Sequence, residues 1–293
     1  MTNKAKSEKP LCYLCGSEKH FKRPGKVRDN GSISVFECGG CGLVYLYPMT
    51  HINEEFYSNS EMHGQDHQVA IRHWLNEIEF DDERRYNFCK PFITNKVLLD
   101  FGCGAGGFLM KAKNLCRSAM GIEPEKRLRQ HFTGNSLKVY EKLEQLPKNE
   151  KIDTITLFHV LEHLPGPRKV LENLSKYLSN DGQIIIEVPH ANDALLALYK
   201  NEAFSLFTYW SCHLYLFTPG TLQTLAGQAG YKVKYVKQIQ RYPLSNHLHW
   251  LACNAPGGHQ KWSFLDSPDL HAAYEKQLAS IGQCDTLIAC IHK

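Results

Sequence analysis

The chain has 293 residues, 43% of them hydrophobic and 22% charged, and carries a formal net charge of +4. This composition is typical of a soluble globular protein, and the length allows one sizeable α/β domain with a small accessory one. The mild charge gives no reason to expect a nucleic-acid partner, and no apolar stretch approaches the roughly 20 residues that span a membrane.

The first ten residues are polar and lack the apolar core of a secretory signal, so we expect a cytoplasmic protein. In that reducing compartment, paired cysteines hold a metal more often than they form a disulfide. Two C-x-x-C pairs, Cys12 with Cys15 and Cys38 with Cys41, are each followed by glycine. They predict a structural zinc ion with four thiolate ligands. Free cysteines with coincidental spacing, and a disulfide, are the alternatives.

We divide the chain into three parts: a zinc ribbon (1–48), a helical connector (49–90) and a larger α/β domain (91–293). The ribbon is interpreted as a substrate-side or packing module. The connector is predicted to contain a helix at Gln68–Lys90, because its apolar residues recur at helical spacing, and to lie over a ligand pocket. His63 and His67 are four residues apart and would share a ligand on a helix, unless they are solvated or capping histidines.

The stretch VLLDFGCGAGGF (97–108) combines a strand with a turn almost free of side chains. Its first three residues are apolar, and Asp100 ends the run. Four glycines follow: Gly102, Gly104, Gly106 and Gly107. Glycine lets backbone N–H groups approach a ligand closely, and a helix is predicted from Phe108. The sequence therefore predicts a nucleotide-type pocket.

The kind of nucleotide depends on the acidic residues around this turn. Gly102, Gly104 and Gly107 satisfy the G-x-G-x-x-G pattern of dinucleotide sites, and Glu123 follows about 20 residues later. Asp100 favours a cofactor with a methionine-like amino group instead, because a fixed carboxylate attracts an ammonium and repels a pyrophosphate. A nicotinamide cofactor stays open as the alternative.

The stretch resembles the first motif of the class I S-adenosylmethionine-dependent methyltransferases, acidic-x-G-x-G-x-G, and FHVLEHLPGP resembles the fourth motif of small-molecule members. In that family the counterpart of Glu123 binds the ribose hydroxyls, and the fourth motif begins at the sulfonium end of the cofactor. The resemblance implies S-adenosylmethionine as the cofactor, bound by Asp100, Gly102, Cys103, Gly104, Glu123, Pro124, Leu143, Phe158 and His159.

From residue 91 onward, strands and helices alternate, which predicts a doubly wound parallel sheet. The predicted strands are 97–99, Ser118–Ile122, Lys138–Tyr140, Ile152–Phe158, Gly182–Val188, Tyr231–Gln240 and Asp285–Lys293, and helices are predicted at Arg168–Leu178 and Leu270–Ile281. The resemblance implies a final antiparallel hairpin. We therefore expect an α/β, Rossmann-like, seven-stranded methyltransferase sheet with a small N-terminal zinc ribbon and a helical connector.

Ligands in such sheets bind beyond the carboxyl ends of the strands, where a base would take the proton of the acceptor. His190 follows the predicted fifth strand, and its ordinary pKa of about 6.5 suits this role. His213 lies in a segment similar to one in sugar C-methyltransferases that carry an N-terminal zinc ribbon. Trp210 and Cys212 replace the tyrosine and glutamate of that family's Tyr-x-Glu-His phrase. We therefore favour O-methylation, with His213 or His190 as the base.

Other histidines have structural interpretations. Glu162 and His163 begin a helix after the fourth strand, where capping and packing compete with a catalytic role. An extended segment at Arg241–Trp250 would place His247 and His249 on one face of a strand, as surface or pocket-rim histidines.

The same resemblance implies a small polar acceptor: a sugar, a sugar nucleotide or a glycan precursor. Three alternatives stay open. They are sugar C-methylation, RNA methylation by a zinc-ribbon enzyme, and a cofactor-binding protein without catalysis.

Overall fold

The computed structural model describes residues 11–52, 70–147 and 150–293, and its strands belong to two sheets. The predicted ligand pair His63 and His67 lies outside the described residues. Within the described ranges, every helix is too short or too polar to cross a lipid bilayer.

The strands are, in chain order, β1 (His20–Lys22), β2 (Ser34–Cys38), β3 (Val44–Tyr47), β4 (Val97–Phe101), β5 (Ser118–Ile122), β6 (Lys138–Tyr140), β7 (Ile152–Phe158), β8 (Leu178–Pro189), β9 (Tyr215–Leu216), β10 (Lys232–Ile239) and β11 (Thr286–His292). The helices are α1 (Ile71–Ile93), α2 (Gly107–Ala112), α3 (Arg129–Gly134), α4 (Pro167–Leu174), α5 (Ala194–Ala197), α6 (Glu202–Thr208), α7 (Pro219–Gln228), α8 (Leu244–Cys253), α9 (Gly258–Lys261) and α10 (Pro268–Ser280). Short 3-10 helices include Leu143–Gln145 and Leu161–His163.

The large sheet has the strand order β10-β11-β8-β7-β4-β5-β6. Strands β4 to β8 are parallel to one another, whereas β11 runs antiparallel to both β8 and β10. Apolar side chains cover the central strands on both faces, and Val97, Leu98 and Leu99 of β4 are fully buried. The predicted Rossmann-like sheet with a final antiparallel hairpin is confirmed.

One edge of this sheet collects the segments that follow β4, β5, β7 and β8. Because β11 runs in the opposite direction, its first residue also lies there, with Thr286 paired to Pro189 at the end of β8. Parallel α/β sheets bind their ligands at this edge. The predicted cofactor and base residues therefore lie on one side of the fold.

A second sheet joins the N-terminal segment to β9, with the order β1-β2-β3-β9. Strand β3 pairs with β9 through Val44 opposite Leu216 and Tyr45 opposite Tyr215. Leu43 and Tyr45 belong to the same buried apolar cluster as Phe217. The cysteine-bearing N-terminal segment is thus packed into the second half of the chain. The domain boundaries at residues 48 and 90 stay a prediction.

The two helices predicted in the α/β domain are both present, and their ends differ from the predicted ones. The helix predicted at Arg168–Leu178 ends at Leu174, because the chain turns there and enters β8 at Leu178. The helix predicted at Leu270–Ile281 is observed as α10, which Ser267 caps by accepting a hydrogen bond from the Leu270 amide at 3.3 Å.

The extended conformation considered for Arg241–Trp250 is wrong, because residues from Leu244 onward form α8. His247 and His249 are both buried, and they face different partners. His247 Nδ1 lies 2.6 Å from the Tyr274 hydroxyl, and His249 Nδ1 lies 2.7 Å from the Ala255 carbonyl oxygen. Tertiary contacts, rather than alternation along a strand, determine the positions of these two rings.

Candidate functional site

The glycine turn after β4 adopts backbone conformations that side chains disfavour. Gly102, Gly104 and Gly106 have φ values of +77°, +52° and +79°. The amide of Gly102 donates to the Ile122 carbonyl at 2.8 Å, which ties the turn to β5. A Cβ atom on Gly104 would lie 2.9 Å from the indole of Trp74 in α1. The turn therefore requires a bare backbone, and α1 packs directly against it.

Glu123 follows β5 and faces the same turn. Its carboxylate accepts hydrogen bonds from the Gly104 amide at 2.9 Å and from the Glu125 amide at 3.0 Å. Burial raises the pKa of Glu123 to about 7, and these two backbone bonds oppose the rise. The carboxylate is therefore placed to accept hydrogen bonds from a polar ligand bound over the turn.

Asp100 ends β4 beneath the turn and is almost fully buried. It accepts a hydrogen bond from Thr156 Oγ1 at 2.7 Å. Burial raises the pKa of Asp100 to about 7, and repulsion from Asp82 and Glu123 adds to the rise. Burial also raises the pKa of Asp82, which projects from α1, to about 6. Three carboxyl groups around one turn fit a cationic ligand and disfavour a pyrophosphate.

The remaining predicted cofactor residues lie around this turn and on the neighbouring strands. Cys103 is buried behind the turn, with its sulfur against Gly121 of β5. Leu143 begins the 3-10 helix after β6, and Pro124 follows Glu123 beyond β5. Phe158 ends β7, where its ring meets the edge of Phe108 at a centroid distance of 5.1 Å. Their predicted contacts with a cofactor stay a prediction.

A buried ion-pair network fixes α1 against the sheet. The Glu187 carboxylate near the end of β8 is fully buried and accepts two hydrogen bonds from Arg84, both at 2.9 Å. Arg85 adds two more, at 2.8 and 3.0 Å. Although burial opposes it, the two guanidinium groups hold the pKa of Glu187 well below its ordinary value. Sequence reasoning missed both arginines, because charged residues in a long amphipathic helix are usually solvated.

The same network continues to the residue after β7. His159 has a φ of +54°, which is uncommon for a residue with a side chain. Its Nδ1 lies 3.1 Å from Glu162 Oε1, and its Nε2 lies 3.1 Å from Arg241 Nη1. Arg241 is bound in turn by Asp81 of α1. Burial lowers the pKa of His159, but the carboxylates of Glu162 and Glu187 raise it more, so the pKa is raised.

A cavity of about 310 Å³ opens beside His159, at the same edge of the sheet. Its walls combine aromatic, cationic and imidazole side chains, among them Phe204, Trp210, Trp250, Arg28, His190 and His213. Arg28 comes from the N-terminal segment and stacks over Trp210, with its guanidinium carbon 4.4 Å from the ring centroid. The structure thus brings both predicted base candidates into one pocket, together with a cation that the sequence had given no reason to place there.

His190 has a defined orientation in this pocket. Its Nδ1 lies 2.8 Å from the Cys284 carbonyl oxygen, which can only accept. In the neutral ring, Nδ1 therefore carries the proton and Nε2 keeps a lone pair. Within the part of the chain that is described, Nε2 has no hydrogen-bond partner although it is buried. Burial lowers the pKa of His190, so the ring is neutral near pH 7.

His213 lies on another wall of the pocket, among rings. Its centroid is 5.6 Å from that of Trp210 and 4.9 Å from that of His163. Burial and the neighbouring His163 lower the pKa of His213 to about 3. Such a ring is neutral at every physiological pH, and so low a pKa makes it a weak proton acceptor.

The four predicted metal ligands converge in the N-terminal segment. The sulfur atoms of Cys12 and Cys41 are 3.6 Å apart, and those of Cys15 and Cys38 are 3.4 Å apart. All four ligand atoms lie within 4.8 Å of one another. A tetrahedral zinc ion with bonds of about 2.3 Å requires sulfur–sulfur distances of roughly 3.8 Å, so this donor set fits zinc.

The chain matches known families over much of its length. A family model described as a methyltransferase domain matches residues 70–236. The tRNA U34 carboxymethyltransferase of Hydrogenovibrio crunogenus is 29% identical over 139 residues, which are 41% of this chain and 42% of that protein. The ubiquinone biosynthesis O-methyltransferase of the same organism is 25% identical over 207 residues, 62% of this chain and 86% of that protein.

A solved structure is similar in fold. The crystal structure of a SAM-dependent methyltransferase from Archaeoglobus fulgidus aligns with a TM-score of 0.50 at 20% identity, over 75% of this chain and 99% of that one. At this identity the similarity concerns the fold alone. The chain spans less than half of the tRNA enzyme and most of the ubiquinone-pathway enzyme.

Proposed function

The chain belongs to the methyltransferase-domain family that matches residues 70–236, and we propose that it transfers a methyl group from S-adenosylmethionine to a hydroxyl group of a small, ring-bearing acceptor. The observation that carries this proposal is the position of the His190 pocket. It opens at the same edge of the sheet as the glycine turn, so a donor on the turn and an acceptor in the pocket can meet.

The residues around the turn fit the charge of this cofactor. Asp100 would attract the ammonium of its methionine part, and Glu123 would accept hydrogen bonds from its ribose hydroxyls. Leu143 would lie near the adenine, while Phe158 and His159 would border the sulfonium. When bound, the cofactor supplies an electrophilic methyl group. The protein would supply much of the rate enhancement by positioning the acceptor oxygen for attack on that methyl group.

His190 is the base that we favour. Its Nε2 lone pair can accept the hydroxyl proton of the acceptor while Nδ1–H stays bonded to the Cys284 carbonyl. The imidazolium so formed then returns its proton to solvent. His213 is the second candidate, with a pKa lowered to about 3 that weakens it as a proton acceptor.

The acceptor that we propose is sugar-linked: a sugar, a sugar nucleotide or a glycan precursor. Aromatic rings such as Trp210 offer flat surfaces for a sugar ring, and Arg28 offers positive charge for a phosphate or carboxylate on the same molecule. The absence of a glutamate at position 212, which is Cys212, is the reason for preferring O-methylation over C-methylation.

A phenolic acceptor is the second candidate. The ubiquinone biosynthesis O-methyltransferase of H. crunogenus aligns over 86% of its length, and the aromatic wall around Phe204 and Trp250 would also suit a phenol. Both candidates involve methyl transfer to a hydroxyl group with His190 as the base. They differ in the group that carries the hydroxyl, which is a sugar in the first and a phenol ring in the second.

We also propose that Cys12, Cys15, Cys38 and Cys41 bind a structural zinc ion. Four thiolates would leave no open coordination position for a substrate. The ion would hold the turns that carry β1 to β3, and through them the Arg28 side of the pocket.

The test is an acceptor screen by mass spectrometry. The purified protein is incubated with S-adenosylmethionine and, separately, with nucleotide sugars, simple phenols and tRNA, and the products are searched for a gain of one methyl group. Methylation of a nucleotide sugar supports the first candidate, and methylation of a phenol supports the second. Methylation of tRNA alone, or no S-adenosylmethionine binding by calorimetry, contradicts the proposal.

A further inference from the structure

Among the described residues, a second group of metal-ligand side chains lies apart from the four cysteines. We propose that His163, Cys212 and His213 form a metal site for a zinc-class divalent ion in the wall of the acceptor pocket. The inference goes beyond the proposed function and does not depend on which acceptor is used, but it requires His190 rather than His213 to be the base.

Two segments distant in sequence bring these residues together. His163 ends the 3-10 helix Leu161–His163 after β7, while Cys212 and His213 precede β9. One nitrogen of each ring and the Cys212 sulfur all lie within 4.8 Å of one another. Tetrahedral zinc sites require donor atoms roughly 3.3–3.8 Å apart, so shifts of about 1 Å in side-chain position would complete the geometry.

The hydrogen bonding of His163 suits metal binding. His163 makes a hydrogen bond with the backbone of Cys212. A ring that donates one N–H to a carbonyl keeps its other nitrogen as the ligand atom, which is the usual arrangement around metal-bound histidines.

Unsatisfied polar atoms point to a missing cation. In the described part of the chain, His213 Nδ1 is buried and has no hydrogen-bond partner. The same is true of Oε2 of Glu162, a fully buried carboxylate whose Oε1 lies 4.0 Å from His163 Nε2. Buried polar atoms without partners are rare in folded proteins. A divalent ion would satisfy His213 and would offset the charge of Glu162.

The donor set selects the metal. Two imidazoles and one thiolate favour zinc over magnesium or calcium, which prefer oxygen ligands. Binding would release the Cys212 thiol proton to solvent, leaving thiolate and Glu162 to balance the two positive charges. Three protein ligands leave one position open, and because His213 lines the cavity, that position is available to an oxygen atom of water or of an acceptor.

The experiment counts metal ions. Wild-type protein is equilibrated with excess zinc, freed of unbound metal and measured by mass spectrometry, and the same is done with cobalt to record its absorption spectrum. We expect two ions per chain, and one in each of His163→Ala and Cys212→Ser. Cys89→Ser, at a buried cysteine away from the site, is the matched control and keeps two. Cys15→Ser should lose the other ion.

Cobalt separates the two sites by their ligands, because four thiolates give stronger sulfur-to-metal absorption than one. Cys212→Ser should lose the weaker spectrum and keep the stronger. Saturation of the wild type at one ion per chain with an unchanged count in His163→Ala and Cys212→Ser overturns the proposal. If these variants do not fold, the cobalt titration of the wild type decides. A second equivalent with a one-thiolate spectrum supports the site, and saturation at one equivalent contradicts it.

Discussion

Arg84 and Glu187 form a two-pronged ion pair between the middle of α1 and the end of β8. Nη1 lies 2.9 Å from Oε2, and Nη2 lies 2.9 Å from Oε1, although the two residues are 103 positions apart. The carboxylate is fully buried, and its charge is compensated by Arg84, Arg85 and the neighbouring His159. This pair holds α1, and with it the Trp74 ring, against the glycine turn.

Glu187→Gln should destabilise the protein by roughly 3–5 kcal/mol, because it removes the carboxylate that two buried guanidinium groups share and leaves Arg84 and Arg85 with only Asp81 and Asp82 as acidic partners. The free energy of unfolding in urea measures this. Because the pKa of Glu187 is depressed, its stabilising contribution is present above its ordinary pKa of 4.5 and is lost as the pH falls. The control is Arg117→Met, which breaks an exposed pair with Asp153 and should cost less than about 1 kcal/mol. Equal effects of the two variants would contradict this account.

Cofactor binding should tighten as the pH rises through about 7. The pKa values of Asp100 and Glu123 are raised to about 7 by burial, so the ligand-free protein favours their protonated forms. Their burial therefore costs stability progressively as the pH rises from about 4 to 7. A cationic cofactor favours the ionised forms, so its binding should release protons between pH 6 and 7.

Calorimetry with S-adenosylmethionine in two buffers of different ionisation enthalpy would measure this proton release. Asp100→Asn should weaken binding and flatten its pH dependence. Proton uptake on binding, or an affinity independent of pH in the wild type, would argue against ionised carboxylates at the cofactor.

Gly104→Ala should weaken cofactor binding at least tenfold. The left-handed backbone conformation costs about 1–2 kcal/mol with a side chain, and the new Cβ would press on the Trp74 ring. About 1.4 kcal/mol corresponds to a tenfold change in Kd, which calorimetry resolves. Gly134→Ala, where a Cβ would meet nothing within 4 Å, is the matched control and should leave Kd unchanged.

His190→Ala should lower kcat by roughly 100- to 10,000-fold once an acceptor is known, with little change in cofactor affinity. The reason is the loss of the Nε2 lone pair that we propose as the proton acceptor. His73→Ala removes an exposed histidine of α1 and serves as the control. A normal kcat in both His190→Ala and His213→Ala would show that neither imidazole takes the acceptor proton.

Arg28→Met should raise KM for a phosphorylated acceptor and leave kcat nearly unchanged, because Arg28 lines the pocket but takes no part in the proposed proton transfer. Removal of zinc with a chelator should also raise this KM if it loosens the packing of β1 to β3. An unchanged KM in Arg28→Met would indicate that the acceptor carries no anionic group on this side.

Much of the large sheet could be predicted because short apolar runs mark its buried strands. β5, β6 and β7 begin and end at the predicted residues. The same patterns carry no information about pairing between distant segments. The contact of Arg84 with Glu187 and the pairing of β3 with β9 depend on the folded arrangement, which no local pattern encodes. α8 was missed for a related reason, since its histidines are held by tertiary contacts.

In the candidate site, too, local patterns in the sequence were informative and contacts between distant segments were not predictable. The glycine turn, Glu123 and His190 were singled out because each stands next to a predicted strand end, whereas His213 was singled out by its similarity to a segment of sugar C-methyltransferases. Arg241 and Arg28 were not identified as pocket residues, because nothing in the sequence around an isolated arginine indicates that it lines a pocket. The proximity of His163 to Cys212 and His213 was not predictable either, because it depends on the tertiary fold.

The pairing of β3 with β9 has a consequence for synthesis. Residues 44–47 leave the ribosome long before residues 215 and 216, so the small sheet lacks its fourth strand until roughly three quarters of the polypeptide has been made. Until then, the backbone N–H and C=O groups along the free edge of β3 are unpaired and can associate with other nascent chains. Metal captured early by the four thiols would keep this fragment compact while it waits for its partner strand.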